Sequence, residues 1–151
     1  MIEAEHLEIQ IDKFLFRVKK GCYYTEEGLW VQAQDDLGRI GVGDFLQQKS
    51  GDVAFVNLPE LGTTLKQGER MGSIETIKAD VTIRSPVSGV VRETNIELEI
   101  KPELINEDPY GEGWLVIIEA SGFEGDRKNL LTAEEYLAVM RSQAEEEAKK
   151  R

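Results

Sequence analysis

The chain has 151 residues and a mass of 17.0 kDa, enough to bury one core and short enough to form one domain. A composition of 40% hydrophobic and 31% charged residues describes an ordinary folded domain, and no apolar run reaches the length of a membrane span. The 18 Lys and Arg set against 29 Asp and Glu give a formal net charge of −11, which excludes the cationic surface that nucleic-acid binding requires.

Residues 1–20 form a leader. Leu7, Ile9 and Ile11, then Phe14, Phe16 and Val18, alternate as strands do, and a helical period fits the same stretch. The acidic start Met1-Ile2-Glu3-Ala4-Glu5-His6 has no apolar signal core behind it, which points to the cytoplasm. Gly21 breaks the pattern. Cys22–Thr25, Leu29–Ala33 and Arg39–Val42 read as short strands, the last two joined by the turn formers Asp35-Asp36-Leu37-Gly38.

Asp44–Ser50 reads as a short helix with Asp44 as N-cap and Gly51 as its left-handed stop. Asp52–Leu58 alternates again, with Val53, Phe55 and Leu58 assigned to the core, and Pro59 ends it. Leu61–Gly68 is a small strand bounded by glycines. Two β-patterned runs follow, Met71–Ile77 and Val81–Ile83, with Lys78 between them. Pro86 and Gly89 impose a tight corner before Val90–Thr94.

Leu104–Gly113 is dense in turn formers, and Trp114–Ile118 is a continuous apolar run expected to be buried on both faces. Trp30, Phe55 and Trp114 are assigned to the core. Near the carboxyl end Thr132 and Glu135 form a capping box, with Leu131 and Tyr136 as its hydrophobic staple. Tyr136, Leu137 and Met140 make an apolar stripe, while the charged tail 143–151 is expected to fray or project. The elements predict a mainly β fold with small helices, a sandwich or barrel over residues 21–142 closed by a C-terminal helix.

The chemistry concentrates on one residue. A lone cysteine, Cys22, excludes an intramolecular disulfide, and a lone histidine, His6, leaves neither a metal-ligand cluster nor a partner for a Ser or Cys nucleophile. Lys78, by contrast, is framed at a hairpin tip by Glu75-Thr76-Ile77 and Ala79. A lysine held out on such a bend suits a group carrier, in which the protein provides a fixed post and the attached cofactor does the chemistry. Glu75, Thr76 and Ala79 are read as the recognition and turn-setting context, with an ordinary exposed strand carboxylate as the alternative for Glu75.

Over residues 23–140 the chain resembles the H protein of the glycine cleavage system, a lipoyl carrier. The resemblance is carried by Tyr24-Thr25 with Trp30-Val31, by Gly51-Asp52-Val53-Ala54-Phe55-Val56-Asn57-Leu58-Pro59 with Gly62-Thr63, and by Glu75-Thr76-Ile77-Lys78-Ala79. Ser85-Pro86-Val87-Ser88-Gly89 and the stretch from Pro102 to Trp114 continue it in the same order. It implies a hammerhead-type barrel-sandwich hybrid, lipoyl-domain-like, with lipoate in amide linkage to Lys78. It also implies a non-catalytic role, carrying an aminomethyl group among glycine decarboxylase, aminomethyltransferase and dihydrolipoyl dehydrogenase after lipoate ligase or lipoyl synthase has acted. Ile77 and Ala79 differ from the methionines that flank lysine in biotin carriers.

Where H proteins commonly read His-Glu-Trp-Val, this chain has Gly28-Leu29-Trp30-Val31, which removes two polar groups from the cleft that shelters the loaded arm. With the departures at Asp44–Ser50 and in the leader, this is similar to H-like lipoate-binding proteins of heterodisulfide-reductase-like sulfur-oxidation complexes. An unmodified binding or regulatory protein with an H-like fold is a third reading.

Overall fold

Short alternating runs separated by glycine and aspartate turns produce, among the described residues, twelve strands in three antiparallel sheets. The computed structural model describes residues 5–150. In chain order the elements begin with β1 (His6–Ile11), β2 (Phe14–Lys19), β3 (Tyr23–Tyr24), β4 (Leu29–Gln34), β5 (Leu37–Val42), α1 (Asp44–Ser50), β6 (Val53–Asn57) and β7 (Thr64–Leu65). They continue with β8 (Arg70–Thr76), β9 (Asp80–Arg84), β10 (Gly89–Thr94), a 3-10 turn at Ile96–Glu99, α2 (Leu104–Glu107), β11 (Val116–Ala120) and α3 (Phe123–Asp126). A 3-10 turn at Arg127–Asn129, β12 (Leu131–Thr132) and α4 (Ala133–Lys149) complete the chain.

The largest sheet has the order β12-β3-β4-β5-β11-β10-β7, and it faces a second sheet, β6-β8-β9, across a core that includes Val31, Ile40, Ile74, Ile83, Val91 and Ile118. This two-sheet arrangement with small helices and a C-terminal helix is the barrel-sandwich hybrid. Gly89 lets β10 close against β11, because a Cβ there would fall on the Glu119 carbonyl oxygen. Trp114 is only half-buried, its ring under the Arg39 guanidinium at 5.6 Å. Leu115, Val116 and Ile118 are buried, whereas Ile117, which alternates to the other face of β11, is only half-buried, so the run is not fully covered on both faces as expected.

The leader residues from 6 onward are strands. β1 and β2 form a two-stranded hairpin, turned by Asp12 in the left-handed region (φ 56). Ile9, Phe16 and Val18 bury into a second core with Tyr24, Phe45, Tyr136, Met140 and Ala144. Polar ties fix the hairpin to α1 and to the loop after α2. The Arg17 amide donates to the Asp44 carboxylate at 2.9 Å, Gln48 donates to the Leu15 carbonyl at 3.0 Å, and the Tyr110 hydroxyl donates to the Arg17 carbonyl at 2.7 Å. Residues 1–4 of the leader lie outside the described residues.

Three expectations are corrected. Gly43, not Asp44, is the N-cap of α1, and no side chain caps it. A Cβ at Gly43 would meet the Gly28 carbonyl oxygen at 2.6 Å, so the close approach of two backbones selects glycine there. Asp44 becomes the first helical residue, and its carboxylate accepts from Arg17, Gln47 and Gln48 instead.

Phe55 is 66% exposed, not core. A bulge between Val53 and Phe55 shifts the alternation, so that Val53 and the half-buried Val56 face inward while Phe55 faces out. The tail also differs: α4 runs through Lys149, because Ala144 is buried four residues after Met140 and continues the inward stripe beneath β1. Of the tail, Arg151 lies outside the described residues.

Candidate functional site: the Lys78 hairpin and its flanking clefts

β8 and β9 pair in register up to Glu75 opposite Asp80, so Ile77 and Lys78 occupy the tip. Two-residue hairpin loops ordinarily need positive φ and hence glycine or asparagine. Neither Ile77 nor Lys78 takes positive φ. Thr76 makes this possible. Its hydroxyl donates to the Ala79 carbonyl at 2.8 Å and accepts from the amides of Lys78 and Ala79 at 3.2 and 3.1 Å. The side-chain oxygen takes the place of a main-chain acceptor and holds a wider loop shut. The Thr76 amide also donates to the Ala79 carbonyl at 2.9 Å.

Lys78 is exposed and, among the described residues, enters no ion pair. Its stem runs over Gly51, where a Cβ would stand 3.4 Å from the lysine Cε. Gly51 has φ 87, which ends α1 and selects glycine at this floor. The Ile77 amide donates to the Asp52 carbonyl at 3.3 Å, which fastens the tip to the same connection. Ile77 itself is 76% exposed and offers an apolar contact beside the amine. Glu75 is half-buried and faces Asp80 across the ladder, a like-charged pair that leaves negative potential at the base of the tip.

Asn106 is a site residue that sequence reading missed. It sits in the turn-former cluster, yet its side chain spans the α1–β6 connection. It donates to the Gly51 carbonyl at 3.0 Å and to the Gln47 side chain at 3.1 Å, and it accepts from the Val53 amide at 3.0 Å. Only the position of an asparagine inside a turn cluster hinted at it; its partners lie more than 50 positions away.

Two clefts adjoin this platform. A groove of about 870 Å³ is lined by Leu29, Phe45, Glu26, Glu27, Lys49 and Arg84 among others. A smaller hollow of about 150 Å³ is lined by Phe14, Phe16, Phe45, Gln48, Lys49, Lys78 and Glu147. Phe45 and Lys49 border both, so α1 is their shared wall. Gly28 and Leu29 supply no polar group to the groove: Leu29 is buried, and a Cβ at Gly28 would stand 2.9 Å from the Tyr136 hydroxyl and 3.2 Å from Leu46. Glu26 and Glu27 are among the residues that line the groove even so.

Cys22 is buried, and desolvation lifts its thiol to about 11, so it is not a nucleophile at neutral pH. Among the described residues no group of three or more His, Cys, Asp or Glu side chains is arranged to hold a metal ion, and no helix is long and apolar enough to cross a membrane.

The profile of the family described as Glycine cleavage H-protein matches residues 22–143. A probable glycine cleavage system H protein of Pyrococcus abyssi is 42% identical over 128 residues, covering 84% of this chain and 95% of that protein. One from Natronomonas pharaonis is 46% identical over 123 residues, covering 82% and 96%. A crystal structure of a glycine cleavage system H protein from Mycobacterium marinum superposes with a TM-score of 0.72 at 32% identity, covering 80% of this chain and 97% of that one. A sandwich of two sheets, a clamped lysine bend and these matches converge: the chain belongs to the glycine cleavage H-protein family, whose members are non-catalytic lipoyl carriers.

Proposed function

We propose that Lys78 receives lipoate in amide linkage, and that the modified chain carries the aminomethyl cargo of glycine cleavage. Its partners in this reading are glycine decarboxylase, aminomethyltransferase and dihydrolipoyl dehydrogenase, with lipoate ligase or lipoyl synthase as the loading enzyme, all in the cytoplasm. The observation that carries the reading is the exposed Lys78 amine, in no ion pair among the described residues, on a bend held shut by Thr76.

The residues present fit the group. An amine with no carboxylate partner among the described residues is open to acylation, and the tip projects it from the sheet without glycine in the loop. When bound, lipoate supplies a disulfide that a carbon or sulfur nucleophile opens and an oxidant closes again. The protein contributes placement. Thr76 sets the bend, Ala79 supplies the carbonyl that closes it, and the Glu75–Asp80 pair offers negative charge to a basic modifying surface. Amide formation removes one positive charge from an already acidic chain.

Glu26 and Glu27 bear on the choice of cargo. A primary ammonium needs a carboxylate or several acceptors when it enters a cleft. The groove keeps both glutamates although Gly28 and Leu29 lack polar side chains. This favours the amine cargo over the sulfur-transfer reading at those two positions, although that reading also draws on the Asp44–Ser50 run and the leader. Lipoylated protein offered to glycine decarboxylase is expected to support glycine-dependent CO₂ exchange. Absence of exchange with a decarboxylase competent toward another H protein would transfer the reading to the sulfur pathway.

The bend is separately testable. Thr76→Val removes a donor and an acceptor while keeping the shape, and is expected to slow lipoylation about tenfold at a stability cost of only about 1 kcal/mol. Thr76→Ser should restore the rate. Mass-spectrometric time courses with a lipoate ligase, beside urea melts, make the comparison.

A further inference from the structure

The β8–β9 hairpin carries its charge unevenly. Its strands place Glu75 opposite Asp80 next to the tip and Arg70 opposite Arg84 at the far end. Each is a like-charged pair, an arrangement that costs a sheet stability. Neither carboxylate enters an ion pair among the described residues, so the acid end keeps a charge that no cation of the described chain neutralises.

Apolar side chains stand beside those carboxylates. β6 is an edge strand that pairs only with β8, and its Phe55 lies opposite Glu75. Directly opposed residues share a face, so Phe55, Glu75 and Asp80 form one row across the outer side of the three strands. Ile77 follows at the tip, two positions after Glu75. Phe55 is as exposed as reported above, and among the described residues its ring meets neither another ring nor a cation.

Charge and reach select what covers this row. A second copy brings the same acid pair and its own net charge of −11, so its approach is opposed. Enzymes that use the loaded arm meet its far end, a tether's length from the hairpin. The enzyme that attaches the arm must instead bring its reaction centre to the Lys78 Nζ, and the rim of that centre lies against the residues beside it.

We propose that Phe55 and Ile77, rimmed by Glu75 and Asp80, are the docking surface for the enzyme that acylates Lys78, whose matching face is an apolar pocket edged with lysine or arginine. The inference rests on the lipoyl-carrier reading above. The aromatic ring is the anchor, and the carboxylates set the orientation. Cations of the partner are drawn to the acid end of the hairpin and turned away from Arg70 and Arg84 at the other. The reaction served is acyl transfer from an acyl adenylate held by the partner. The neutral Nζ attacks the carboxyl carbon, the amide C–N bond forms, the C–O bond to the nucleotide breaks, and the lysine proton passes to solvent.

The test uses the full unmodified chain with a lipoate ligase, ATP and lipoate, read by intact mass. In Phe55→Ser the KM for the carrier is expected to rise about ten- to thirtyfold with kcat nearly kept, the loss an aromatic anchor supplies, and Phe55→Leu should recover most of it. Ile77→Ser, at the exposed tip, repeats the measurement should Phe55→Ser fold poorly. Leu37→Ser, an exposed leucine on β5 in the other large sheet, should stay at the wild-type value. The double variant Glu75→Gln, Asp80→Asn should load more slowly at low salt and lose most of the wild type's salt dependence. Phe55→Ser loaded to completion with excess ligase should then be reduced by dihydrolipoyl dehydrogenase and NADH at the wild-type rate.

Equal KM values in wild type, Phe55→Ser and Ile77→Ser overturn the docking surface and leave the carrier reading standing. So does a dehydrogenase rate that falls while loading is unchanged, or a wild type that sediments as a dimer when Phe55→Ser does not. A wild type that gains no lipoyl mass overturns the carrier reading instead, and the mass measurement separates the two.

Discussion

Lys78→Arg is expected to leave the protein folded and abolish its modification outright. Arginine keeps the charge and nearly the length, but its guanidinium stays protonated and does not act as an acyl acceptor. The wild-type side chain is exposed and in no ion pair among the described residues, so stability should move by less than about 0.5 kcal/mol. Intact mass after incubation with a ligase and lipoate should remain that of the bare chain, and glycine-dependent CO₂ exchange should fall to background. A variant that still gained the lipoyl mass would place the attachment elsewhere and end the present reading. A variant that lost several kcal/mol would show Lys78 to be a packing residue.

The second large effect is alkaline. Burial lifts the Cys22 thiol to about 11 and the Tyr110 phenol to about 12, and it pushes Tyr24 and Tyr136 further up still. All four belong to the core where the hairpin meets α4. Below about pH 8 these groups keep their protons whether the chain is folded or not, so they add no pH dependence. Above that, the unfolded chain releases protons that the native core retains, so stability falls as pH rises.

Cys22 alone, from its ordinary 9.0 to about 11, accounts for about 3 kcal/mol, and Tyr110 for a similar amount, against a total stability of about 5–15 kcal/mol. Urea midpoints should therefore be flat from pH 7 to about 8, begin to fall near pH 9 and drop steeply by pH 11. Tyr24→Phe, which loses the 2.7 Å hydrogen bond to the Lys19 carbonyl, should start lower and fall less. A midpoint unchanged at pH 11 would contradict the burial argument.

What the sequence made legible was what depends on neighbours along the chain. The Thr132–Glu135 capping box is present with both reciprocal bonds, since every atom in it lies within four residues. The lysine bend was readable for the same reason: Thr76, Lys78 and Ala79 set it among themselves. Phe55 was not, because one bulged residue inverts a two-residue period and nothing in the run Val53–Asn57 marks where the bulge falls. The tail misled through composition: its charges describe the solvated side of α4, while the small Ala144 marks the buried side. Asn106 and the hollow were invisible because each is assembled from segments remote in sequence.

The Asn106 bridge has a consequence for biosynthesis. The floor beneath the lysine stem is held by a side chain 53 positions after Val53, so it is incomplete on any nascent chain whose ribosomal exit stops short of that asparagine. Maturation of the carrier is thereby ordered: the polypeptide must emerge and close on itself before a transferase meets a properly seated acceptor.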